Sequence, residues 1–137
     1  MKLSLKVEYA LRVLAQLGRY HGGPKLAHIE ELAEAESVPS NYLVQILNEL
    51  RNGGVIISRR GKQGGYALAK EPEAISLFDV MSVIDPGLFA NEPSRVGQSG
   101  PAVANALNII GEAFEEKARS VSVRDLMPKD AGAMYYI

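Results

Sequence analysis

Val55-Ile56-Ile57-Ser58, Arg59-Arg60-Gly61-Lys62-Gln63-Gly64-Gly65, Tyr66-Ala67-Leu68-Ala69: these three consecutive pieces decide the fold. The first is rich in β-branched residues and reads as a strand. The second is a polar turn with three glycines, three cations and no acid. The third reads as the returning strand. Together they predict a short β-hairpin whose tip is positively charged.

What precedes the hairpin gives it meaning. Val7, Leu11 and Leu14, flanked by Ala10 and Leu17, recur at helical spacing behind Ser4, a good N-cap. His21-Gly22-Gly23-Pro24 ends that helix. Ile29, Leu32 and Ala33 form the stripe of a short second helix, with Glu30, Glu31 and Glu34 turned to water. Ser37-Val38-Pro39 breaks the pattern. A third helix carries Leu43, Ile46, Leu47 and Leu50 on one stripe and stops at Asn52-Gly53-Gly54. Two short helices joined by a tight turn are a helix-turn-helix, and a hairpin directly after the second is a wing.

Downstream, Ser76 caps a further helix with Asp79 at the capping-box position and Leu77, Val80, Met81 and Ile84 as its stripe. Asp85-Pro86-Gly87 ends it. Residues 86–101 hold three prolines, three glycines and two serines and read as a mobile loop. A long helix follows, with Val103, Leu107, Ile110 and Phe114 at i, i+4, i+7 and i+11. Ser122 caps a last turn, Val123 to Met127, closed by Pro128. The expected fold is mainly α with a small β-hairpin wing. The expected division is a winged helix-turn-helix over 1–85, a flexible loop over 86–101, and a dimerisation helix with a C-terminal tail over 102–137.

Composition narrows the function. With 137 residues and 47% apolar content, the chain has enough for one modest core and a tail. No apolar run reaches the roughly 18 residues of a membrane span, and Met1-Lys2-Leu3-Ser4 leads straight into an amphipathic pattern without a signal peptide. A cytoplasmic protein without membrane association is expected. The chain has no cysteine, so it has no thiolate ligands, disulfides or cysteine nucleophile. The net charge of −1 hides an asymmetry: residues 1–70 hold ten Lys/Arg against six Asp/Glu, and residues 71–137 hold five against ten. Residues 51–70 contain Arg51, Arg59, Arg60, Lys62 and Lys70 and no acid. Local basicity decides phosphate attraction, because charges beyond roughly 8 Å are screened.

These stretches resemble the Rrf-two family of winged-helix regulators, also called BadM/IscR-like. The resemblance runs from Met1 to about Pro128. It is carried by Lys2-Leu3-Ser4-Leu5-Lys6 with Tyr9-Ala10-Leu11, by Tyr42-Leu43-Val44-Gln45-Ile46-Leu47 with Leu50-Arg51, and by Arg60-Gly61-Lys62-Gln63-Gly64-Gly65-Tyr66-Ala67-Leu68, followed by Ile75-Ser76-Leu77 and Asp79-Val80. It implies a homodimer paired through the long C-terminal helix, bound to a pseudo-palindromic operator on double-stranded DNA. Several members hold an iron–sulfur cluster through three cysteines in the loop before that helix. Here Asn91 to Pro101 has none, so no cofactor is expected. Ser37 stands where a glycine often occupies the turn, and Val44 where glutamate is common. The first departure bears on turn geometry, the second on operator preference.

The residues that would contact DNA follow from the patterns. With the stripe of the third helix inward, Ser40, Asn41, Val44, Gln45 and Asn48 face outward. Amide side chains pair with adenine and Val44 suits a thymine methyl; the alternative is a solvated helix face. Tyr42, at the stripe's edge, either donates to a phosphate or completes the core. Arg59, Arg60, Lys62 and Gln63 at the wing suit a narrow minor groove, whose negative potential is enhanced. Lys2, Ser4 and Lys6 would hold backbone phosphates. Val103, Leu107, Ile110 and Phe114 would form the dimer seam. The glycine spacing does not match a nucleotide-binding phosphate loop. His21 and His28, with Glu30 and Glu31 nearby, make only a loose case for a metal, and no nucleophile–base–acid set is apparent, so no metal and no enzymatic activity are expected. Two readings stand beside DNA binding: a winged-helix module that docks on a partner enzyme without DNA, and a regulator that also senses a small-molecule effector.

Overall fold

The computed structural model describes residues 2–90 and 92–128. The C-terminal tail of the expected dimerisation unit, from residue 129 onward, lies outside the described residues. The elements run α1 (Leu5–Tyr20), α2 (Ile29–Glu36), α3 (Ser40–Asn52), β1 (Ile56–Arg59), β2 (Gly65–Leu68), a 3-10 turn (Pro72–Ala74), α4 (Leu77–Ile84), α5 (Gly100–Ser120) and α6 (Val123–Leu126).

Each predicted helix forms on its apolar stripe. Ser4 Oγ accepts from the Val7 N–H at 3.3 Å and starts α1, which buries Val7, Ala10, Val13, Leu14 and Leu17. From α3 come Leu43, Ile46, Leu47 and Leu50, all inaccessible to solvent. Burying side chains of this size stabilises by roughly 1.5–3 kcal/mol each. Ile56 of β1, Ile75 and Val80 of α4 close the same core. The capping box of α4 forms as expected: the Asp79 N–H donates to Ser76 Oγ at 3.1 Å, and the Ser76 N–H to Asp79 Oδ2 at 3.0 Å.

The helix-turn-helix turn keeps its geometry without glycine. Ser37 caps α2 in the left-handed region at φ 54°, ψ 48°. The Val38 N–H returns to the Ala33 carbonyl at 3.1 Å, closing the helix end. A side chain in this conformation is strained, and the turn holds it there.

β1 and β2 pair antiparallel, with Ile56 opposite Leu68 and Arg59 opposite Gly65. Arg59, expected in the turn, is therefore the last ladder residue, and the tip is Arg60 to Gly64. A third partner was not foreseen. Ala27, in the α1–α2 connection, exchanges both backbone hydrogen bonds with Tyr66, at 2.8 and 3.0 Å. This proximity explains Gly65, and the hairpin's own backbone explains Gly64. A Cβ on Gly65 would lie 2.5 Å from the Ala27 carbonyl oxygen, and one on Gly64 would lie 2.3 Å from the Arg59 carbonyl oxygen.

The C-terminal half differs from expectation in three places. First, α5 starts at Gly100, with Pro101 in its first turn, where a missing N–H costs nothing. Second, the segment after α4 is anchored at its start: the Phe89 ring lies 4.7 Å from that of Phe78 and 5.0 Å from that of Phe114. Third, α5 and α6 return to the winged domain. The Leu77 N–H donates to the Val121 carbonyl at 2.8 Å, the Val123 N–H to that of Ile75 at 2.9 Å, and Val123 is fully buried in the common core. At Gly18 of α1, a Cβ would collide with the Met127 side chain beyond α6. No helix among the described residues is long and apolar enough to cross a membrane.

Two substitutions test this account. Gly64→Ala should destabilise the domain by about 1–3 kcal/mol, because the new methyl overlaps backbone that cannot retreat. Ser37→Gly should stabilise by about 1 kcal/mol by relieving the left-handed serine. Thermal unfolding reads both, and effects of the opposite signs would refute the backbone assignments.

Candidate nucleic-acid interface

Two exposed surfaces carry the groups expected to meet DNA. On α3, Ser40, Asn41, Gln45 and Asn48 are exposed, and Val44 is 46% exposed despite its apolar side chain. An apolar residue left in water among amides suits contact with another surface. On the hairpin, Arg59, Arg60, Lys62 and Gln63 are all exposed. Among the described residues, none of these three cations forms an ion pair. Their charge is therefore uncompensated locally. Helix α3 packs on β1, and the Val55 N–H donates to the Leu50 carbonyl at 2.9 Å, so the wing is attached rigidly to the end of α3.

The N-terminal anchors separate. Lys2 is exposed and Ser4 is exposed, although the Ser4 hydroxyl is occupied as an acceptor by its capping role. Lys6 is a correction: its ammonium is paired with the Glu49 carboxylate, and only 21% of its side chain is exposed. It joins the start of α1 to the C-terminal part of α3, so a phosphate would have to compete with Glu49 for it. Glu49 lies on the flank of the α3 stripe, between its buried and exposed faces, which is why it meets α1.

Tyr42 takes the structural role left open by the sequence. Its ring packs against the core and meets Tyr9 edge-to-face, at 5.5 Å between centroids and 82° between planes. Arg12 lies over the Tyr9 ring at 4.9 Å. Such a cation–π contact is worth about 0.5–1 kcal/mol when exposed and braces the first turn of α3.

The proposed dimer seam also changes membership. Val103, Leu107 and Ile110 are 53%, 45% and 65% exposed. Phe114 is only partly exposed. It stacks on Phe89 inside the protomer, because the post-α4 segment supplies an aromatic partner for that face of α5. Ile109, which sequence reading omitted, is 68% exposed. Its position outside the i, i+4, i+7 ladder hid it.

The two histidines do not converge. His21 Nε2 lies 3.0 Å from Glu71 Oε2, while the His28 backbone N–H donates to Glu31 at 3.0 Å. That hydrogen bond, more than the one from the Tyr20 hydroxyl to the same carboxylate at 3.2 Å, holds the Glu31 carboxyl below the usual carboxylate range. Among the described residues, no group of three or more His, Cys, Asp or Glu is arranged to hold a metal ion.

The comparisons agree with this geometry. The family model Rrf2, iron-dependent transcriptional regulator, matches residues 3–129. The HTH-type transcriptional regulator CymR of Bacillus subtilis is 32% identical over 142 aligned residues, covering 100% of both chains. The solved structure of CymR, described as the global cysteine regulator of B. subtilis, superposes with a TM-score of 0.81 at 30% identity, over 92% of this chain and 95% of that one. IscR of T. potens gives a TM-score of 0.76 at 26% identity, over 99% and 97%. The chain contains no cysteine. With a matched hairpin, helix-turn-helix and long helix, this chain belongs to the Rrf2 family of winged-helix transcriptional regulators and is a DNA-binding regulator, not an enzyme.

Proposed function

We propose that the chain acts in the cytoplasm as a homodimeric repressor, clamping a pseudo-palindromic operator with two copies of the same reading head and using no iron–sulfur cluster. In each copy α3 lies in the major groove. Asn41 and Gln45 read adenine edges and Val44 meets a thymine methyl, each good bidentate contact discriminating by about 1–3 kcal/mol. Arg60 enters the adjacent minor groove, flanked by Arg59, Lys62 and Gln63, while Lys2 and the Ser4 region meet the backbone. The observation that carries the reading is the exposed wing tip with no acid partner among the described residues. An unpaired guanidinium on a narrow hairpin is matched by the enhanced negative potential of a compressed minor groove.

Pairing of two α5 helices supplies the second copy. Val103, Leu107, Ile109 and Ile110 present apolar surface to water in the first half of α5, while its later part packs inward through Phe114 on Phe89 and Arg119 on Phe78. Burying that stretch between copies gains about 25 cal/mol for each Å² removed from water. It also sets two recognition helices the roughly 34 Å apart that successive major grooves require.

Selection of bound sequences from a random DNA pool should return an inverted repeat. On that operator, Arg60→Ala should weaken binding and flatten the dependence of log K on log salt by about one unit. Ile110→Glu should convert the dimer to monomer in sedimentation and abolish tight operator binding with the fold intact. A wild-type protein that shows no salt-dependent operator binding would refute the proposal.

A further inference from the structure

A cleft of about 500 Å³ opens beside the wing. One wall is the hairpin tip, with Lys62, Gln63 and Gly64. The other is the α1–α2 connection and the start of α2, with Lys25, His28 and Glu31. The two walls are tied together by the paired backbone hydrogen bonds of Ala27 and Tyr66, so the cleft is part of the fold and not a gap between moving parts.

We propose that this cleft seats one sugar-phosphate strand of the operator, gripped between Lys62 on one side and Lys25 and His28 on the other. The inference rests on the wing lying in the minor groove. That groove is only about 6 Å wide, so a hairpin inside it has a phosphate strand on each flank. A flanking cleft with a lysine on each wall is where one such strand would run. The volume falls within the roughly 300–1,000 Å³ of pockets that enclose small molecules, which suffices for a nucleotide-sized group. Lys25, His28 and Lys62 are all exposed; among the described residues neither lysine is in an ion pair, although the Lys25 charge acts on Glu31 and the His28 side chain accepts the Glu31 N–H in the capping box of α2. The first turn of α2 already carries Glu30 and Glu31, so the helix end adds little positive potential and the side-chain cations carry the site.

Glu31 is the opposing group. It lines the cleft as an ionised carboxylate, turned toward the His28 N–H and the Tyr20 hydroxyl. It sets a ceiling on backbone affinity, and removing its charge should raise that affinity. The prediction has two signs. Lys25→Ala should weaken operator and random-sequence DNA by the same factor and flatten the salt slope by about one unit. Glu31→Gln, which keeps an oxygen for the cap, should tighten both. A neutral methylphosphonate placed in the strand flanking the minor groove should weaken wild type and leave Lys25→Ala insensitive at that position.

The same duplexes separate failure here from failure of the wing assignment. If Arg60→Ala lowers affinity while Lys25→Ala and Glu31→Gln change nothing, the strand seat is refuted and the wing reading stands. If wild type binds no duplex, both fall. Inorganic phosphate titrated into the free protein distinguishes the other source of the same chemistry. Phosphate-induced NMR shifts confined to residues 25–31 and 62–64, with an unchanged DNA salt slope in Lys25→Ala, would assign the cleft to a free anion and overturn the proposal.

Discussion

A two-stranded hairpin of four residues per strand is marginal by itself. Here it must hold three cations in place against their mutual repulsion. The constraint that permits this is the close approach of backbone at its base, where Ala27 and Tyr66 exchange hydrogen bonds beside Gly65. No Cβ fits at Gly65 beside the Ala27 carbonyl, nor at Gly64 beside the Arg59 carbonyl. These two glycines are therefore required by the protein's own packing before any DNA is considered, and the base of the tip is fixed to the α1–α2 connection. Preorganisation matters because each loop or side chain ordered only on binding subtracts about 0.5–1.5 kcal/mol from affinity.

Charge is distributed according to the same division of labour. Some cations are paired within the fold, as Lys6 is with Glu49 and Arg119 with Glu115. At the wing, cations are left without acids. The near-zero net charge of the chain thus hides an uneven sequence distribution, with the basic excess in residues 1–70 and the acidic excess in residues 71–137.

Much of the fold was legible because it depends on short-range pattern. The stripe of Leu43, Ile46, Leu47 and Leu50, the Ser76–Asp79 box and the glycine-rich turn are each set within a few residues. What escaped depends on contacts between distant segments. The Ala27 bridge joins positions 39 residues apart in sequence, and nothing around Ala27 marks it as a strand. Lys6 reads as a free cation until Glu49 is folded beside it. Phe114 sits in register with Val103, Leu107 and Ile110, so periodicity groups it with them, and the resemblance to dimeric regulators assigns the group to a seam. Only the arrival of Phe89 reveals that this end of the stripe faces inward. The outward face of α3 was readable from what the inward face excludes, whereas the walls of the Lys25–Lys62 cleft come from segments that no local pattern connects.

The expected boundary between a reading domain and a dimerisation helix has a physical consequence once the contacts are known. The C-terminal end of α5 is bound to the winged domain by the hydrogen bonds from Leu77 to Val121 and from Val123 to Ile75. Nearer its middle, Phe114 joins the stack of Phe78 and Phe89, and Arg119 lies 3.7 Å over the Phe78 ring. Helix α5 is therefore anchored toward its C-terminal end, while nearer its start Val103, Leu107, Ile109 and Ile110 stay exposed around a fully buried Ala104. In a pair joined through that stretch, the separation of the two α3 helices is determined by packing inside each protomer. Half-sites on a duplex lie one helical turn or a multiple of it apart, so in such a pair the packing that orients α5, including the Phe78–Phe89–Phe114 stack, bears on whether both α3 helices reach their grooves.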